Sequence, residues 1–148
     1  MTTWDELDDA TVDLVFFTVD YALDNARRDK DGFTPFTLIG DQEGRRGLSR
    51  FVSEGELAEG IEAGRRSLEY VPAGTVAVTL AWDGFIHDDR SRTEAVLVEA
   101  YQIGMKRGVR VAQPYERTPD GLRQTDKLTI LDDTEPLTLG TVEPGSVG

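Results

Sequence analysis

The sequence predicts an α+β domain, with two helices packed on an antiparallel sheet of about five to six strands in the order α-β-β-α-β-β-β(-β). Three observations predict it. Apolar residues recur at spacings of three and four near the N-terminus and again around residue 60. From residue 75 onward they alternate instead. The connections between the alternating runs are too short for a crossover helix, so neighbouring strands must pair antiparallel. With no internal repeat and no linker, residues 1–131 form one domain, and 132–148 an acidic tail or peripheral strand containing proline and glycine.

The first helix is predicted from a capping box in TWDE, with Thr3 as N-cap and Glu6 three residues on. Leu7, Ala10, Leu14, Phe17 and Tyr21 form its apolar stripe, and Val12, Val15, Phe16, Val19 and Leu23 widen that stripe past half the circumference. So wide a stripe needs cover beyond one sheet face, from a second copy or another protein. Arg27, Arg28 and Lys30 suit a helix C-terminus, and Gly32 a stop.

Phe33–Asp41 and Gly47–Val52 form a hairpin around the QEGRRG turn, with Pro35 near the strand's start. A second capping box, Ser53 with Glu56, opens a helix whose core face is Leu57, Ile61, Gly64, Leu68 and Val71. Gly60 and Gly64 in that helix imply a close approach to the sheet, and Pro72 and Gly74 end it. Strands follow at GTVAVTLAW, TEAVLVEAY and GVRVAQPY, and KLTIL adds a last one.

Composition narrows the class of function. The chain has no cysteine, which excludes disulfides and thiolate metal sites. The first residues lack a basic region before their apolar positions, unlike a secretory signal, and no run is long enough to span a membrane. A cytoplasmic protein is expected. The net charge of −12 disfavours nucleic acid and anionic lipid as partners. It is uneven: residues 1–31 hold nine acids against Arg27, Arg28 and Lys30, and residues 128–148 hold four acids and no base.

Four groups of residues are candidates for chemistry. WDGFIHDDRSR places the only histidine, His87, beside Asp83, Asp88 and Asp89. A metal centre would draw several imidazoles or carboxylates from separate elements, whereas Asp, Ser and Arg are what a turn between two strands requires. The hairpin tip is the expected reading and a metal site at His87 the alternative. Glu99 lies mid-strand on the face of Leu97 and Tyr101, where Arg110 or Tyr115 of a neighbouring strand can reach it. A desolvated strand carboxylate can act as a base, but a residue on an open sheet face paired with a cross-strand arginine is the expectation. Arg45, Arg46 and Arg50 on the first hairpin could grip an anion, together with Arg65 and Arg66, but GRRG lacks a phosphate-loop frame. No serine sits in a G-x-S-x-G setting.

DGFTPFTLIGD, RTEAVLVEAY and VRVAQPYER resemble a group of small bacterial proteins with a D-x-F-x-P-F strand, an [RK]-T-[DE]-A-x-x-V-E strand and a strand ending in P-Y. The resemblance covers Asp31–Arg117 and implies one α+β domain, with no activity or cofactor attached. If the pattern marks a site, Phe33, Pro35, Phe36, Thr93, Glu94, Glu99, Pro114 and Tyr115 are its positions.

The expected function is a non-catalytic, cytoplasmic interaction module without a cofactor, a homodimer or the binder of a protein partner through its acidic first helix. In physical profile alone it is like bacterial immunity proteins and secretion chaperones. The alternative is a small-molecule binder or enzyme using Glu99, Tyr101, Tyr115 and Arg110, which would need a concave pocket and a carboxylate of raised pKa.

Overall fold

A computed structural model describes residues 2–87 and 91–143. The chain is α+β, and its described residues form two α-helices, α1 (Asp9–Arg28) and α2 (Leu57–Ser67), and nine strands. The strands are β1 (Phe36–Asp41), β2 (Arg46–Arg50), β3 (Tyr70–Pro72), β4 (Thr75–His87), β5 (Arg92–Gln102), β6 (Gly108–Thr118), β7 (Gly121–Gln124), β8 (Thr129–Thr134) and β9 (Gly140–Val142). Seven form one antiparallel sheet in the order β2-β1-β4-β5-β6-β7, with β8 also pairing β6. Both late strands lie along one edge of β6, β8 against Gly108–Ala112 and β7 against Tyr115–Thr118. β3 and β9 make a separate parallel pair.

Helix α1 covers one face of the sheet. Leu14, Val15, Val19, Ala22, Leu23 and Ala26 meet Phe36, Leu38, Ala77, Ala81, Val96, Val98 and Val111. Thr18 is buried in this layer, where its hydroxyl bonds the Leu14 carbonyl and the Thr79 hydroxyl, both at 2.7 Å. The stripe is therefore rotated from the expected one. Ala10, Phe16 and Phe17 are exposed, while Thr11 and Thr18 are buried. The N-terminus also differs. Thr3–Glu6 is a short 3-10 turn closed by Thr2, whose amide and hydroxyl donate to Asp5. α1 starts later, where the Asp8 carboxylate accepts from the Thr11 amide at 2.8 Å.

The opposite face is covered by α2 and the β3–β9 pair, so the sheet has no fully open side. Val78, Leu80 and Tyr101 pack there against Leu68, Val71 and Leu137. Gly64 permits this contact, since a Cβ on it would lie 2.7 Å from Leu80 Cδ1. The expected Ser53–Glu56 capping box does not form. Glu56 is the N-cap, without a side-chain hydrogen bond, and Ser53 donates to the Glu56 carbonyl. Leu57, expected in the core face, is 44% exposed. The helix ends at Ser67, and Val71 belongs to β3, a strand that local spacing had merged with the helix.

β4 and β5 pair from Ala77↔Gln102 to His87↔Arg92, so WDGFIH and RTEAVLVEAY are the two arms of one hairpin. Asp88 and Asp89, its expected tip, lie outside the described residues. β1 begins only at Phe36, opposite Ala81. β4 therefore runs past β1 by the length of Trp82–His87, leaving a notch at that corner of the sheet.

Candidate functional site

The sequence candidates separate onto the two faces of the sheet. Glu99 sits on the α2 face, opposite Leu80 in β4 and Arg110 in β6. It is 2% exposed. Arg65 of α2 donates to both its carboxylate oxygens, NH2 lying 2.9 Å from Oε1 and 3.0 Å from Oε2. Arg110 donates to Oε2 at 2.8 Å and bridges onward to Asp132 of β8 at 3.0 Å. The guanidinium of Arg110 is held above its ordinary pKa: burial opposes its charge, and Glu99 and Asp132 overcome that opposition. This is the cross-strand pairing expected for Glu99, with Arg65 as an addition. The setting is a covered cluster rather than an open face. With charged donors on both oxygens, Glu99 ties α2, β5 and β6 together.

Tyr101 shares that face but donates to the Met105 carbonyl at 2.6 Å. Tyr115 is not near Glu99. It points to the α1 face with Val109 and Val111. The sequence reading allowed Tyr115 to reach Glu99, but Tyr115 lies an even number of residues from Val109 and Val111, and strand alternation puts all three on the face away from Glu99.

The first-hairpin arginines do not converge either. Arg45 pairs with Asp41 and Glu43 in the turn. Asp41 closes this turn by accepting from the Glu43 and Arg45 amides, and the Arg45 amide leads in holding its pKa below the ordinary value. Arg46 lies over the Phe17 ring at 4.5 Å, and Arg50 donates to the Tyr21 hydroxyl. Both are on the α1 face, across the sheet from Arg65. His87 is exposed at the end of β4. Among the described residues no three His, Cys, Asp or Glu are grouped to hold a metal ion.

A different set does converge, at the notch beyond the end of α1. Asp83, Glu94, Tyr115 and Arg117 share the α1 face of β4, β5 and β6, past the point where α1 stops. The Tyr115 hydroxyl donates to Asp83 Oδ1 at 2.7 Å. Arg117 caps α1 by donating to the Ala26 carbonyl at 2.8 Å and to the Asp29 carbonyl at 3.4 Å. It stands 3.9 Å from Asp83 Oδ2 and 3.8 Å from Glu94 Oε1. The loop after α1 and the start of α2 supply the walls, Phe33 and Leu57, of a cavity of about 380 Å³. Burial raises the pKa of Asp83 more than the Tyr115 hydrogen bond and the Arg117 charge lower it. Tyr115 is pushed well above the ordinary phenol range, first by burial and then by its bond to Asp83, so it stays a donor.

Sequence reasoning missed this cluster because it assigned Asp83 to the turn and passed over Arg117. A signal was present, since Phe33, Glu94 and Tyr115 each stand in one of the three resemblance stretches and the fold brings these three together. The chain matches no protein-family model, and no curated protein or solved structure matches it. Among the described residues no helix is long and apolar enough to cross a membrane.

Proposed function

We propose that this chain is a non-catalytic, cytoplasmic interaction module that pairs with a second copy of itself through the outer face of α1 and the adjoining edge strand β2. One observation carries this reading. Asp9, Asp13, Phe16, Phe17, Asp20 and Asp24 recur at helical spacing as a single exposed stripe, and β2 beside it is exposed along all five residues with Arg46 and Arg50 on the same side. Phe16 is 45% exposed, Phe17 40% and Leu48 39%, an apolar content unusual for a solvated helix face and an edge strand.

Charge argues for a two-fold arrangement. An acidic stripe laid on another acidic stripe repels. In an isologous pair, however, each copy's stripe meets the other's arginine-bearing strand, so both contacts are attractive. A basic protein would use the same stripe, without needing β2.

Light scattering tests the proposal. At low salt the wild type is expected at twice the chain mass of 16.4 kDa, with the dimer weakening as salt rises. Asp13→Lys with Asp20→Lys, and separately Arg46→Glu with Arg50→Glu, should each give a monomer. Mixing the two variants should restore the dimer, since both contacts then regain opposite charges. A wild type that stays at the single-chain mass at every concentration would refute self-pairing.

A further inference from the structure

We infer that the notch beyond α1 is a binding site for a small organic cation, a primary ammonium on a short apolar stem. The cavity of about 380 Å³ falls within the size range of small-ligand pockets. Its floor is a carboxylate with unused capacity. Asp83 keeps 13% of its side chain exposed and takes one hydrogen bond among the described residues, from Tyr115 to Oδ1. Oδ2 has Arg117 nearby at 3.9 Å, beyond hydrogen-bonding distance. Glu94 lies on the adjoining strand and Asp31 at the rim, so three carboxylates face two cations, Arg117 and Lys30.

The sign of the ligand's charge follows from what Arg117 already does. Its terminal nitrogens are committed to the carbonyls that end α1, and its Nε, which has no hydrogen-bond partner among the described residues, is too deeply buried to meet a ligand. Among the residues lining the cavity, an entering anion would therefore have to rely on Lys30 and would be opposed by Asp83 and Glu94. An ammonium instead supplies the donors that, among the described residues, Asp83 Oδ2 and Glu94 lack. Phe33, buried beneath the pocket, and Leu57, 44% exposed beside it, suit an apolar stem, while the Phe85 ring at the margin carries the Arg92 guanidinium at 3.5 Å.

The test is a titration of the full chain at pH 7, followed by amide NMR, with benzylamine, benzyl alcohol and benzoate as probes. Benzylamine is expected to give saturable shifts at Gly32 and Gly84, with the alcohol and the carboxylate at least tenfold weaker. Glu94→Gln and Asp83→Asn should each weaken benzylamine several-fold, and Asp132→Asn, across the sheet, should leave it unchanged. Should Asp83→Asn fail to fold, the more exposed Glu94→Gln carries the same comparison. No saturable shift, equal affinity for the alcohol, preference for benzoate, or an amine affinity indifferent to Glu94→Gln would each overturn the assignment.

Discussion

Glu99 and Asp83 are both strand carboxylates drawn largely out of water, on opposite faces of the same sheet, yet their surroundings differ in kind. Glu99 has two arginines, with charged donors on both oxygens. Asp83 has one phenol on one oxygen and an arginine out of reach of the other. The difference arises from what covers each face. α2 lies over Glu99 and brings Arg65 with it, whereas α1 stops before Asp83 and directs Arg117 to its own last carbonyls. A desolvated carboxylate that the fold completes is a fastener, and one it leaves incomplete is a place for something else to bind.

Removing the fastener should have the largest effect. Glu99→Ala leaves Arg65 and Arg110 without their shared partner, and breaking such a buried cluster costs about 3 kcal/mol. The value sits at the low end of the usual range because both arginines remain about a third exposed and can turn to water. Urea denaturation of the variant against wild type checks it, and a loss below about 1 kcal/mol would make Glu99 as dispensable as a surface ion pair.

Tyr115→Phe probes the other side. It removes the one donor Asp83 has among the described residues and should cost about 1.5 kcal/mol, the usual worth of a hydrogen bond to a charged acceptor. The same variant should push the pKa of Asp83 further up, measurable by carboxyl NMR. An Asp83 pKa that stays put in Tyr115→Phe would mean that Tyr115 contributes nothing to its ionisation.

Parts of this contrast were legible in the sequence and parts were not. The long strands were readable because alternation in VAVTLAW and VRVAQPY survives even with both faces of the sheet covered. The Glu99–Arg110 pair followed from treating TEAVLVEAY and GVRVAQPY as neighbours. β3 was hidden because Leu68 and Val71 continue the spacing of α2, and β7 because GLRQ offers one apolar residue and owes its form to pairing with β6. β9 pairs with β3 across some seventy residues, which no local pattern encodes. Arg65's reach to Glu99 and the gathering of Asp83, Glu94 and Arg117 depend on strand register and on where α1 ends, and both are set by tertiary packing.

Gly64 tests how closely α2 must approach for the Glu99 cluster to close. Gly64→Ala should gain about 1 kcal/mol of helix propensity but lose about 2 kcal/mol by overpacking against the fully buried Leu80, a net loss of about 1 kcal/mol. In the background of Glu99→Ala the loss should shrink, because α2 is then free to move outward. Equal losses in both backgrounds would show that the helix position is fixed by Leu68 and Val71 instead.

The smallest effect, and the most discriminating, belongs to Asp83→Asn. Asparagine keeps a carbonyl oxygen for the Tyr115 hydroxyl, so at the acid end of the range the two proteins should be equally stable. An acid whose pKa rises on folding binds more protons folded than unfolded, between the unfolded value, near 3.8 for Asp83, and the raised one. Over that window the stability of the wild type falls as pH rises, and the penalty is complete above the raised value. The uncharged amide of the variant carries no such penalty. The stability of Asp83→Asn relative to wild type should therefore climb from near pH 3.8 and level off, in favour of the variant, once Asp83 is fully ionised in the fold. Urea titrations in steps from about pH 3.5 to 7 would read it. A flat or falling difference would mean that the folded state satisfies Asp83 as fully as Glu99, leaving the notch no charge deficit for a cation to fill.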